Sequence, residues 1–123
     1  MAEEISPQLQ NKLAQFQHMQ QQVQVISSQK FQLEAQLRDT ERAITELDKI
    51  SDDSPIYKNV GSLLVRAEDK DSVLKELTEK KETIDIRIKA LDRQEKQIME
   101  KYQTLQKELS AAISAGREAS GGT

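Results

Sequence analysis

A chain of 123 residues with 36% hydrophobic and 32% charged side chains, no tryptophan, and only two phenylalanines and two tyrosines is one domain at most and is poorly supplied for a thick globular core. Its net charge of −3 gives no electrostatic case for nucleic acid or an anionic membrane, and the lack of cysteine excludes disulfides, thiol catalysis and cysteine-ligated metal. The acidic start MAEEISPQ lacks the basic-then-apolar order of a secretory signal, and no apolar run reaches the ~20 residues of a membrane-spanning helix, so a cytoplasmic location is expected.

The first element is expected over 6–50. Ser6 followed by Pro7 is a helix start: the hydroxyl accepts from a free N–H of the first turn, and proline at the first helical position costs no intrahelical bond. Neither Gly nor Pro follows until Ser51-Asp52-Asp53-Ser54-Pro55, which stops the helix. A helix of this length spans about 65 Å, too long for an ordinary globular helix. With Leu9 at heptad position a, the a series is Leu9, Phe16, Val23, Lys30, Leu37 and Ile44. The d series is Lys12, Met19, Ile26, Leu33, Thr40 and Leu47. Apart from Lys12, Lys30 and Thr40 these are apolar, the pattern of a coiled-coil seam.

Residues 56–66 break that pattern. Ile56-Tyr57-Lys58 and Leu63-Leu64-Val65-Arg66 are β-prone and are separated by Asn59-Val60-Gly61-Ser62, where Asn and Gly tolerate positive φ, so a β-hairpin is expected. An isolated two-stranded hairpin is marginal in water, and Leu63-Leu64-Val65 is apolar on both faces. The strands are therefore expected to join strands of other chains, making the protein an obligate oligomer.

A second heptad helix is expected over 69–115, capped by Asp69, Asp71 or Ser72. Its d series is Leu77, Ile84, Leu91, Ile98, Leu105 and Ala112, and its a series is Leu74, Lys81, Ile88, Glu95, Tyr102 and Leu109. Gly116 reads as a left-handed stop and 116–123 as a disordered tail. Folding the two helices back on each other with Ile44 opposite Leu77 also sets Leu37 against Ile84, Leu33 against Ile88, Met19 against Tyr102, Phe16 against Leu105 and Leu9 against Ala112. One antiparallel register therefore satisfies both seams. Lys30 and Glu95 fall in adjacent layers of it, either as a register-setting pair or as side chains that snorkel to water. The fold class expected is thus all-α dominated: a long antiparallel two-helix coiled-coil hairpin with a small β-hairpin inserted between the helices.

Chemistry-bearing residues are sparse. His18 has no Cys, Asp or Glu at one-turn spacing, and the four glycines form no phosphate loop. No catalytic residue, metal site or cofactor is expected, and the chain is read as a non-enzyme. The oddity is the outer half of the first helix, where Lys12 is the sole formal charge between Ile5 and Gln29. Apolar Ile5, Leu13, Ala14 and Val25 lie off the seam there, and the facing end of the second helix adds Met99, Ala111 and Ile113. Apolar residues outside a seam either widen it or mark an interaction surface, and the second reading is favoured.

Leu13-Ala14-Gln15-Phe16-Gln17, Gln20-Gln21-Gln22, Gln29-Lys30, Glu34-x-Gln36-Leu37, the hairpin Ile56-Tyr57-Lys58-x-Val60-Gly61-x-Leu63-Leu64-Val65, Leu77-x-Glu79-Lys80-x-Glu82-Thr83 and Arg93-Gln94-Glu95 together span nearly the whole chain. In them the sequence resembles the β-type prefoldin subunits of archaea, with the hairpin pattern the most specific part. The resemblance implies an ATP-independent chaperone subunit in a hexamer of two α-type and four β-type chains. It implies that the hairpins (Ile56, Tyr57, Val60, Gly61, Leu63, Leu64, Val65) join in a shared β-barrel, and that the coiled-coil tips hold unfolded client proteins and pass them to a group II chaperonin. Leu9, Leu13, Phe16, Met19, Leu105, Leu109, Ala112 and Ile113 are the residues expected to grip clients. The rival reading is a structural coiled-coil tether with fixed partners, which has no use for the hairpin.

Overall fold

The structure is a computed structural model; it describes residues 6–121, with side chains to residue 116. Four elements follow in order: α1 (Pro7–Lys49), β1 (Tyr57–Val60), β2 (Leu63–Arg66) and α2 (Lys70–Gly121). Two long helices flank an antiparallel two-stranded hairpin, as the heptads and the β-prone insert require. The described residues group into two compact units, one drawn from 6–29 and 91–121, the other from Lys30–Ala90.

Each helix end has an identifiable cause. At the start of α1 the Leu9 amide donates to Ser6 Oγ at 3.1 Å, and the Gln10 amide makes the first helical bond to the Ser6 carbonyl. At its end the Ile50 amide bonds back three residues to the Leu47 carbonyl, and the Ser54 amide closes a turn onto the Ser51 carbonyl. Lys70, from the first residue of α2, donates to the Ile50 carbonyl at 2.9 Å and lies 3.6 Å from Asp52, so one helix start supplies the cation for the other's negative end. Of the three capping candidates for α2, Asp69 accepts from the Ser72 amide at 2.6 Å. Replacing Asp69 with Ala is expected to cost about 1 kcal/mol, while Asp71→Ala stays near neutral; paired thermal melts check the assignment, and equal losses would refute it.

The far end of α2 departs from expectation. The helix does not stop at Gly116 but runs on to Gly121, and the one glycine with positive φ among the described residues is Gly61. A lone glycine costs a helix only ~1 kcal/mol relative to alanine, and here it lies among the helix formers Ala111, Ala112, Ala115, Arg117, Glu118 and Ala119. Of the expected disordered tail, Gly122 and Thr123 lie outside the described residues.

Within each unit the polar inter-helix contacts run antiparallel and stay within one residue of the register read from the heptads, while the ring stack reaches a full turn along the seam. In the first, Lys12 pairs with Glu108 at 3.4 Å, and Ser27 Oγ donates to Glu95 at 3.3 Å. Tyr102, assigned opposite Met19, touches residues on either side of it: its ring stacks on Phe16 with centroids 4.5 Å apart, and its hydroxyl accepts from Gln20 Nε2. In the second, Lys81 reaches Glu41 at 3.7 Å, beside its assigned partner Thr40. Thr40 is buried, with its hydroxyl satisfied by the Gln36 carbonyl at 2.8 Å. Ile26, Val73, Ile84, Leu105 and Leu109 are the buried apolar side chains among the described residues. The core is a seam with little in reserve.

Candidate functional site

The hairpin is built around Gly61, whose φ of 62° supplies the positive dihedral at the first central position of a two-residue turn. Asn59 is not in that turn, as its residue type suggested, but pairs with Leu64 inside the ladder. The other pairs are Tyr57 with Arg66, Lys58 with Val65 and Val60 with Leu63, and the Ala67 amide extends the ladder to the Ile56 carbonyl at 2.8 Å. Alternation puts Tyr57 and Leu64 on one face and Val60, Leu63 and Val65 with Lys58 on the other. Lys58 Nζ bonds both carboxylate oxygens of Glu76 at 3.1 Å, so this second face leans toward the start of α2. Even so, Tyr57, Val60, Leu63, Leu64 and Val65 are all exposed, Leu63 at 65% and Leu64 at 66%; Ile56 is half-buried. Apolar side chains on both faces of a two-stranded ribbon with open edges form a surface suited to strand addition.

The residues expected to grip clients divide three ways. Leu9, Leu13, Phe16 and Met19 are half-buried, Ala112 and Ile113 are exposed, and Leu105 and Leu109 are the best buried at this end of the chain. The exposed apolar surface therefore comes from Ile113, the alanines beside it and the accessible flanks of the half-buried residues, with Leu105 and Leu109 beneath as the packing that holds the helices together. Ile5, also read as off-seam, lies outside the described residues. Farther along the same unit, Val25 is exposed as its heptad position requires. Two adjoining openings that share Gln97 form a groove beside the seam, with volumes of about 600 and 470 Å³. Sequence reasoning noticed the glutamines of α1 but not that Gln94 and Gln97 of α2 line the same groove; their heptad positions, g and c on one side of the seam, were the available signal. Among the described residues no group of His, Cys, Asp and Glu is placed to hold a metal ion, and no helix is long and apolar enough to cross a membrane.

The family described as "Prefoldin subunit" matches residues 10–115, which include the whole hairpin and most of both long helices. The chain belongs to the prefoldin family. Among prefoldin relatives, the prefoldin subunit beta of Archaeoglobus fulgidus is 51% identical over 111 residues, covering 90% of this chain and 95% of its own length. That of Pyrococcus furiosus is 42% identical over 109 residues, with 89% and 92% covered. The crystal structure of the prefoldin beta subunit from Thermococcus strain KS-1 superposes with a TM-score of 0.79 at 38% identity, covering 90% of this chain and 96% of that one. This chain is accordingly a prefoldin chaperone subunit of the beta kind, from a family of non-enzymatic chaperones that work as parts of multisubunit complexes.

Proposed function

We propose that the chain is one of four β-type subunits which, with two α-type subunits, form an α2β4 prefoldin hexamer in the cytoplasm. The hexamer holds non-native proteins without ATP or any cofactor and hands them to a group II chaperonin; nucleic acid and membranes are not partners. The observation that carries the assembly half is the hairpin: five apolar side chains exposed on both faces of a ribbon too small to stand alone. Client holding rests on the charge-poor outer half of α1, where Lys12, its one formal charge, is already paired with Glu108 of α2. Several such ends on one particle convert feeble apolar contacts into useful holding through multivalency, so release needs no nucleotide, only a competing surface on the chaperonin.

The test is suppression of aggregation of a denatured protein without ATP, by the chain alone and mixed with an α-type subunit, with particle mass from light scattering in the same samples. Suppression by a hexamer-sized particle supports the proposal; a well-formed oligomer that suppresses nothing would favour a tether. Within that assay, Leu13→Ser with Ile113→Ser is expected to leave particle mass unchanged and to raise the concentration needed for half-suppression by about tenfold, since two apolar contacts are lost at every tip. Unchanged suppression would remove these residues from the client surface.

A further inference from the structure

The groove beside the seam is unusual in what lines it. Its walls carry the side-chain amides of Gln15, Gln22, Gln94 and Gln97, and no hydrogen bond among the described residues engages any of the four. On the other side of the helix pair, by contrast, Gln20 is committed to the Tyr102 hydroxyl. The floor is apolar, with Ile26 and Ile98 in the inner part and Met19 and Leu105 in the outer part. The inner part is lined by no Asp, Glu, Lys or Arg; formal charge enters at the outer end, with Glu100, Lys101 and Glu108, of which Glu108 is paired with Lys12.

We propose that this amide-walled groove receives an extended, uncharged segment of a non-native polypeptide, the glutamines bonding its backbone while the floor takes its apolar side chains. The inference rests on the client-holding reading and names what is recognised. A side-chain amide is both donor and acceptor, so a row of them matches the alternating N–H and C=O of any extended backbone whatever its sequence. In a folded protein those groups are already paired, and in a non-native segment they are not, so the groove selects for the lack of a fold rather than for a sequence. A charged client side chain would be desolvated in the inner part without a counter-charge and is disfavoured. Gln15 and Val25 bracket ten residues of helix, about 15 Å at the helical rise, which accommodates an extended segment of about four or five residues.

The probe is a fluorescent ten-residue peptide alternating leucine and serine, titrated into the full-length chain and followed by anisotropy. A second version carries the same side chains on an N-methylated backbone, and a third has lysine for leucine. The test variant is Gln22→Leu with Gln97→Leu; both positions are exposed, and leucine is a strong helix former. Loss of two hydrogen bonds is expected to weaken peptide binding by about tenfold, and the N-methylated and lysine peptides are expected to bind at least as poorly. A purely apolar groove would instead bind more tightly to the leucine variant and ignore N-methylation; either result overturns the proposal, as does failure of the wild-type chain to bind the first peptide. Aggregation suppression by the wild-type assembly is read separately. Peptide binding without suppression defeats the client-holding reading and leaves the groove assigned, whereas suppression without peptide binding does the reverse.

Discussion

A chain carrying Leu63→Asp and Val65→Asp is expected to remain helical but to lose assembly, running as a free subunit by light scattering or ultracentrifugation where the wild type runs as a larger particle. Both residues lie on the hairpin face shared with Val60 and Lys58, and both are exposed in the single chain, so the substitutions remove little that the chain itself buries. In a shared sheet the same positions would be covered. Each aliphatic side chain then contributes on the order of 1.5–3 kcal/mol by leaving water, and a carboxylate forced into its place without a partner costs several kcal/mol more. Repeated at every copy of the proposed interface, those losses would be enough to prevent assembly through the hairpin. Unchanged far-UV circular dichroism with a collapsed particle mass is the expected pair of results. A persistent large particle would place assembly elsewhere on the chain.

Seam and register were legible because both depend on one-dimensional quantities: the spacing of apolar residues and the length of the insert. The polar contacts of Lys12, Ser27, Lys81 and Tyr102 all fall beside the partners that the heptads assign. Less legible was anything decided by competition between neighbours. Gly116 looked like a stop, yet its modest local cost is outweighed by the helix formers around it, and α2 continues to Gly121. Asn59 looked like part of the turn, but a two-residue turn needs only one positive φ here, and Gly61 supplies it, freeing Asn59 for the ladder. Exposure at the outer end was harder still. The heptads set Leu105, Leu109 and Ala112 in the seam and Ile113 off it; the packing buries the two leucines and exposes Ile113 accordingly, but leaves Ala112 open as well. The amide groove depends on glutamines from two helices meeting on one side of the seam, a pairing that exists only after the register is known.

Ile84 and Ile86, two residues apart on α2, provide the sharpest test of how much the seam supports. Ile84 holds a d position and is 3% exposed, whereas Ile86 points away from the seam and is 66% exposed. Ile84→Ala is expected to destabilise the chain by about 2–4 kcal/mol, the transfer loss plus the cavity that remains. Ile86→Ala should stay within about 0.5 kcal/mol and could gain slightly from alanine's helix propensity. Paired urea titrations followed by circular dichroism, at one protein concentration so that assembly contributes equally, give both values. In a thick core neighbouring side chains would share such a loss. In this unit Val73 and Ile84 are the buried apolar residues, so there is little to relax into the space, and the cost should fall at the upper end of the range. Equal losses from the two variants would mean that Ile86 is covered in the assembled particle, and that surface would then join the hairpin as part of the subunit interface.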